Sequence, residues 1–460
     1  MPIIQFEPIA ALATAPGIGA IAVVRVSGEG AIALVNRMFR GRDLTSQASH
    51  TAHFGTLRQP DETIIDEVLV TVFRTPTSFT KEDVIEISCH GSDYIIRQIL
   101  TRLTQEGARL AKPGEFTQRA FLNGQFDLVQ AEAVADLIAA DSEASHRSAL
   151  TQLRGGFSKK LKELRQQLID FVALVELELD FGEEDVEFAK RDQLRGLMMN
   201  IHRVLHPLIE SFAVGNAVKN GVPTVIVGKP NAGKSTLLNA FLNEEKAIVS
   251  EIPGTTRDVI EDELFIDGIR FRLIDTAGLR HTTDTIEAIG VERTHQQMEK
   301  ASLVVYLFDG LTTTPDELEQ MIAELQKAGK PFLLVGNKTD LILDIFRQPL
   351  DTVAGKTKII WISAKDQRID DLKAALSVRV RTDSAVQTDG ALITNVRHLE
   401  HLTGTDNALA RAINGLDAGV TADWLAMDLR VALRHLGELT GEVTTDDLLE
   451  SIFSRFCIGK

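Results

Sequence analysis

The spacing of apolar positions changes character along the chain. In residues 1 to about 122, short runs at Ala20 to Val26, Glu67 to Phe73 and Val84 to Ser88 predict strands. The interval of apolar residues in Tyr94 to Glu106 predicts an amphipathic helix, so this first segment reads as an α+β domain. From about 123 to 214 the period turns helical, with long runs such as Ala131 to Leu150 and Phe157 to Leu179 and no strand-rich interruption. Residues 215 to 381 alternate apolar strand-length runs, such as Pro223 to Val227 and Leu303 to Phe308, with helical stretches, the pattern of a mostly parallel α/β sheet. Residues 382 to 460 are helical again from about 391. Two helical segments flanking an α/β unit predict a discontinuous helical domain with an inserted domain, hinged at Gly215 to Gly221 and Val380 to Gly390.

Chemistry concentrates in the inserted segment. Five motifs occur in fixed order: Gly228-Lys-Pro-Asn-Ala-Gly-Lys-Ser235, Thr255-Thr-Arg-Asp258, Asp275-Thr-Ala-Gly278, Asn337-Lys-Thr-Asp340 and Ser363-Ala-Lys365. The first lies between a predicted strand and a predicted helix, the context a phosphate loop requires. Backbone N–H groups around Asn231, Ala232, Gly233 and Thr236, with the helix's positive end, then cradle phosphates. Lys234 reaches the β- and γ-phosphate oxygens, Ser235 and Thr256 supply hydroxyl ligands to Mg²⁺, and Asp275 holds a metal-bound water beside Thr276, Ala277 and Gly278. Asp340 accepts from the N1–H and amino group of guanine, a pair that adenine lacks. Asn337 and Lys338 fix that loop, and Ser363 and Ala364 offer backbone donors to the base oxygen. These assignments predict a GTP site.

The position that carries a water-orienting Gln in many GTPases is Leu279 here. Glu287, Asp284 and Arg280 are the nearby polar candidates for orienting the attacking water, and no arginine finger is evident. The amide oxygen of Asn231 can instead help coordinate a monovalent cation beside the phosphates.

Composition narrows the rest. With 460 residues, 44% of them hydrophobic, the chain can build several cored domains. The longest apolar runs are of strand length, and the N-terminus lacks a basic start before its apolar part, so neither a membrane span nor a secretory signal is expected. Two cysteines, Cys89 and Cys457, form no disulfide framework and fit a reducing cytoplasm. A formal net charge of −16 argues against gripping nucleic acid through phosphate neutralisation over the whole surface, so any RNA contact is local or shared with a partner. The basic stretch Arg154 to Arg165 reads as a solvated helix face, because Leu153, Phe157, Leu161 and Leu164 recur within it at helical spacing.

With these motifs stand Gly114-Glu-Phe-Thr117, Arg119-Ala-Phe-Leu-Asn123, Asp127-Leu-Val-Gln-Ala-Glu132, Gly254-Thr-Thr-Arg-Asp258 and the terminal Phe456-Cys-Ile-Gly-Lys460. Over essentially its whole length the chain resembles the MnmE (TrmE) family of tRNA-modification GTPases. The resemblance implies an N-terminal dimerising domain that binds 5-formyl- or 5,10-methylene-tetrahydrofolate, a discontinuous helical domain and an inserted Ras-like G domain. It further implies a homodimer that works with the flavoprotein MnmG (GidA) as a heterotetramer. Such complexes install a carboxymethylaminomethyl or aminomethyl group at C5 of the wobble uridine of certain tRNAs. By position, the family's K⁺ site falls on Asn231 with backbone oxygens of Ser250, Ile252 and Thr255, and its water-orienting carboxylate on Glu287. Folate contacts fall on Arg25, Glu86, Gln125 and Lys460. Gln125 stands where the family usually has Lys, and Lys81 where it usually has Gly. Cys457 either assists one-carbon transfer or merely lines the folate pocket. A GTP-controlled assembly switch is the rival class, but neither a KH-type Gly-x-x-Gly clamp nor a second G domain is found.

Several isolated signals read as structure. Cys457-Ile-Gly-Lys460 is a poor prenylation box. Cys89-His90-Gly91 offers half a metal site and reads as a strand end. The acidic stretch Glu176 to Glu187 reads as a helix end, and Gly17-Ile-Gly19 as a tight turn.

Overall fold

Strands near the N-terminus alternate buried and exposed side chains because one face of their sheet packs on helices and the other does not. Along Ile64–Phe73, for example, Val68, Val70 and Val72 are buried while Glu67 and Leu69 are exposed. The computed structural model describes residues 6–180, 191–245, 262–274, 298, 301–382 and 392–459. The chain divides into two compact units, one of Met1–Ile138, Leu150–His202 and His401–Lys460, the other of Ala139–Ala149 and Arg203–Glu400.

The first unit begins with β1 (Ile9–Leu12), β2 (Gly19–Ser27), α1 (Ala31–Met38), β3 (Phe39–Arg40), β4 (Thr51–Arg58), β5 (Ile64–Phe73), β6 (Val84–Gly91), α2 (Asp93–Gln105) and β7 (Arg109–Leu110). The strand order is β3-β4-β5-β6-β2-β1-β7, antiparallel except for β1 beside β7. Val24, Val26, Val70, Ile85 and Ile87 from the sheet form one core with Val35 and Met38 of α1 and Ile99 and Leu103 of α2. Each such side chain contributes about 1.5 to 3 kcal/mol by leaving water.

Along the chain follow α3 (Glu115–Leu122), α4 (Leu128–Ala139), α5 (Glu143–Leu153), α6 (Gly156–Asp180) and α7 (Arg191–Glu210); most of α5 and the end of α7 belong to the second unit. The run Ala131 to Leu150, which the apolar spacing presents as continuous, is two helices. At 140–142 the chain leaves helical conformation, and Ser142 restarts it by accepting from Ser145 N at 3.2 Å and, through its carbonyl, from His146 N at 2.9 Å. On α6, Phe157, Leu161 and Leu164 are buried while Lys159 and Lys160 face solvent. Lys162 pairs with Asp127 at 3.2 Å, so the basic stretch is the polar side of an amphipathic helix.

The second unit contains α8 (Phe212–Asn220), β8 (Val222–Val227), α9 (Lys234–Glu245), β9 (Asp262–Ile266), β10 (Ile269–Leu273), β11 (Leu303–Asp309), α10 (Pro315–Lys327), β12 (Phe332–Asn337), α11 (Asp344–Ala354), β13 (Ile359–Trp361) and α12 (Asp370–Thr382). The sheet order is β13-β12-β11-β8-β10-β9, parallel throughout except for the antiparallel β9–β10 pair. Leu303 through Phe308 are all buried, because helices cover both faces of a parallel strand. A capping box between Thr314 and Glu317 starts α10. The C-terminal helices α13 (Val396–Asp417), α14 (Ala422–Thr440) and α15 (Asp446–Phe453) complete the chain. Helix α14 lies along α6 within the first unit, joined by Arg430–Glu176 at 2.7 Å and by Arg165–Glu442.

Candidate functional site

Three motif loops emerge from the carboxyl ends of the parallel strands β8, β12 and β13, where open α/β sheets bind ligands. The phosphate-loop residues 228–233 join β8 to α9. Within the loop Asn231 has φ 63° and Gly233 φ 97°. A Cβ on Gly233 would lie 2.2 Å from Asn337 Nδ2, so both the backbone conformation and the close approach demand glycine there. Lys234 folds over the loop and donates to the carbonyls of Gly228 at 2.7 Å and Lys229 at 2.9 Å. Burial holds its pKa below the usual lysine range. Ser235 and Thr236 sit in the first turn of α9, Ser235 half-buried and Thr236 exposed.

Asn337 joins the phosphate loop to the base loops. At the end of β12 it is 3% exposed; its Nδ2 donates to Ala232 O at 2.8 Å and its Oδ1 accepts from Ala364 N at 3.1 Å. Lys338 adopts φ 67° and its ammonium pairs with Asp309 at 2.7 Å, anchoring this turn to the end of β11. Ser363 Oγ donates to Asp340 Oδ1 at 2.9 Å and accepts from Asp366 N at 3.3 Å, which fixes the carboxylate's orientation. Seven sequence-assigned residues, Ala232, Gly233, Asn337, Lys338, Asp340, Ser363 and Ala364, are thus linked by direct contacts or adjacent turns. The glycine cradle, the folded lysine and the oriented carboxylate match a nucleotide's phosphates and base in donor and acceptor type. A concavity of about 320 Å³ among Phe241, Leu264, Asp267 and Lys373 involves none of these residues, so its size carries no weight for this chemistry.

A second polar cluster occupies the N-terminal sheet. Arg25 on β2 stands opposite Glu86 on β6, and Glu86 Oε1 accepts from Arg25 Nε at 3.0 Å and Nη2 at 2.8 Å. Arg25 Nη1 also donates to Gly459 O at 3.3 Å, and its guanidinium lies 5.7 Å from the ring centroids of Phe79 and Phe116. The C-terminal tail therefore lies against the N-terminal sheet, and the exposed Cys457 accepts through its backbone oxygen from Gly114 N at 3.4 Å. Gln125 is exposed next to Gly124. Cys89 is buried, and burial pushes its thiol up to about 11. His90 bonds Asp66 at 2.8 Å, leaving Cys89-His90 a strand end.

The profile described as MnmE helical domain matches residues 128–457, and that described as GTP-binding protein TrmE N-terminus matches residues 8–125. The tRNA modification GTPase MnmE of Cytophaga hutchinsonii is 56% identical over 455 residues, covering 99% of this chain and 98% of that protein. The chain belongs to the MnmE family. MnmE proteins of Flavobacterium johnsoniae and Bacteroides thetaiotaomicron are 49% and 48% identical, each over 99% of this chain and covering 100% and 99% of their own lengths. Among solved structures, the FeoB G-domain of Methanococcus jannaschii aligns at 27% identity over 35% of this chain and 98% of its own, with a TM-score of 0.25 that is too low to weigh on the fold.

Part of the MnmE-type site lies outside the described residues: Ser250, Ile252, Thr255, Thr256, Asp275, Thr276, Ala277, Gly278, Leu279, Arg280, Asp284, Glu287 and Lys460. Residues that sequence reading passed over also emerge. Asp309, the partner of Lys338, was visible only as the acidic end of an apolar run. Glu82 and Arg119 are each 3% exposed in their side chains and pair at 3.4 Å, with Ser27 Oγ donating to Glu82 at 2.6 Å. This buried pair ties α3 to the loop that carries Phe79. Lys81, on the same loop, donates to Gly124 O at 2.8 Å. An ammonium thereby lies beside Gln125.

Proposed function

We propose that this chain is the GTP-hydrolysing component of a complex that adds a carboxymethylaminomethyl or aminomethyl group at C5 of the wobble uridine of certain tRNAs. The carrying observation is the Asn337 side chain, which bonds the phosphate loop at Ala232 and the base loop at Ala364 and so makes one site of three motifs. Lys234 binds the terminal phosphates, and the Ser363-oriented carboxylate of Asp340 selects guanine. Ser235 and Thr256 would hold Mg²⁺. Asn231 with the backbone oxygens of Ser250, Ile252 and Thr255 would hold K⁺, and these ions supply positive charge to the phosphates in place of an arginine. Glu287 orients water where Leu279 cannot.

The N-terminal cluster would take a tetrahydrofolate one-carbon carrier. Arg25 and Glu86 offer complementary charge at its rim, Phe79 and Phe116 offer apolar surface, and Lys81 supplies the cation that Gln125 lacks. Lys460 and Cys457 would close the pocket from the tail. On the outer face of the sheet Ile21, Phe54 and Leu69 are exposed, with Phe54 and Leu69 paired across β4 and β5, a surface suited to homodimerisation. A cytoplasmic homodimer acting on tRNA with an MnmG-type flavoprotein completes the reading. Among the described residues no helix is long and apolar enough to cross a membrane.

Nucleoside analysis of tRNA from cells lacking this chain tests the reading. The substituted wobble uridines should disappear and return on complementation; an unchanged nucleoside profile would reject it. Hydrolysis of GTP should be faster in K⁺ than in Na⁺, and equal rates would reject the cation assignment.

A further inference from the structure

Three potential metal ligands converge in the helical part of the first unit, and none of them belongs to a motif discussed above. His401 lies on α13, and His435 and Glu438 lie one turn apart on α14. His401 Nδ1 stands 3.4 Å from His435 Nδ1 and 3.5 Å from Glu438 Oε2, and the three ligand atoms all fall within 4.8 Å of one another. These separations are long for hydrogen bonds, which cluster near 2.7 to 3.2 Å. The two separations from His401 are close to the edge of a tetrahedron whose arms are about 2.0 to 2.1 Å, which works out at about 3.3 to 3.4 Å. Two imidazole nitrogens and one carboxylate oxygen make the donor set of a borderline divalent ion. Mg²⁺ and Ca²⁺, which demand six or more oxygens, are poorly served.

The surroundings are shaped for this arrangement. Gly404, one turn along α13 from His401, leaves room for the His435 ring, since a Cβ there would lie 2.6 Å from His435 Nε2. A glycine inside a helix costs about 0.5 to 1 kcal/mol relative to alanine, so its presence under that ring calls for a compensating use. Arg434 binds the other carboxylate oxygen, Glu438 Oε1, at 2.7 Å and turns Oε2 toward His401. Such an outer contact is what orients a metal-binding carboxylate. The side chains of His401 and Glu438 are 16% and 19% exposed, which shelters the cluster but leaves an approach for an ion.

We propose that His401, His435 and Glu438 form a binding site for one Zn²⁺-type ion, which clips α13 to α14, with the fourth position filled by water or an external donor. The site is independent of the GTP and folate assignments. It is the only such cluster of three or more His, Cys, Asp or Glu side chains among the described residues.

The test uses the full-length chain, freed of metal by chelation and kept without nucleotide. Zn²⁺ is titrated at pH 7.5 in competition with a chromogenic chelator. One equivalent per chain should bind with a Kd on the order of 1 µM or tighter. Glu438→Gln and His435→Gln should each weaken binding at least tenfold, whereas Cys457→Ser should leave it unchanged. Co²⁺ should give the intense visible absorption of a tetrahedral N/O site. Arg434→Ala, an exposed change compatible with folding, should weaken Zn²⁺ about 10-fold or more through the carboxylate's orientation. Absence of stoichiometric binding in the unaltered chain, or unaltered affinity in Glu438→Gln and Arg434→Ala, would overturn the proposal.

Discussion

Replacing Asn337 with alanine removes a side chain that bonds both the phosphate loop and the base loop. Its carboxamide donates to Ala232 O at 2.8 Å and accepts from Ala364 N at 3.1 Å. Ala232 and Ala364 are only 1% and 3% exposed, so water does not readily replace the lost partners. Each stranded backbone group costs about 1 to 3 kcal/mol, a total of about 2 to 6 kcal/mol. Part of that cost falls on the stability of the unit, and part on the ordering that nucleotide binding requires. If about half reaches binding, about 1 to 3 kcal/mol, GTP affinity drops by about 5- to 140-fold. Titration of a fluorescent guanine nucleotide measures the first effect, and thermal unfolding with and without GTP measures the second. An affinity within threefold of the unaltered chain, together with an unchanged melting temperature, would refute the linkage.

Two further outcomes follow from the N-terminal unit. Alkylation at pH 8 should modify the exposed Cys457 and spare Cys89, whose pKa of about 11 leaves about 0.1% thiolate; peptide mass spectrometry showing equal rates would contradict the burial argument. Lys81→Ala should weaken tetrahydrofolate binding by about 3- to 10-fold, the scale of a partly exposed charge contact, and adding Gln125→Lys should restore it. A double variant no tighter than the single one in equilibrium dialysis would reject Lys81 as the relocated cation.

The α/β unit was legible because its physics is local. A parallel strand covered on both faces must be apolar at successive positions, as Leu303 through Phe308 are, and a phosphate loop needs its glycines and lysine at fixed spacing. Three N-terminal strands were legible: Ala20 to Val26 lies within β2, Glu67 to Phe73 within β5, and Val84 to Ser88 forms the start of β6, whereas β4 was not read as a strand. The break at 140–142 was not, since apolar spacing continues through it and only Ser142 marks the new start. Contacts between residues distant in sequence left the weakest trace. Lys81 meets Gly124 across 43 positions, and His401 meets His435 across 34, so neither has a local period to betray it. Arg25 and Glu86 were both assigned as ligand contacts, and cross-strand register also makes them partners of each other.

We infer that the carboxylate of Asp340, held by Ser363 Oγ at 2.9 Å, chooses the base. Xanthine carries a carbonyl where guanine has its amino group and therefore needs a donor, which Asp340→Asn supplies. Calorimetric titration of both proteins with GTP and XTP is the most direct test. The unaltered chain should prefer GTP, and Asp340→Asn should lose GTP by about 10²-fold or more while gaining XTP. An Asp340→Asn variant that still binds GTP as tightly as the unaltered chain would contradict the account.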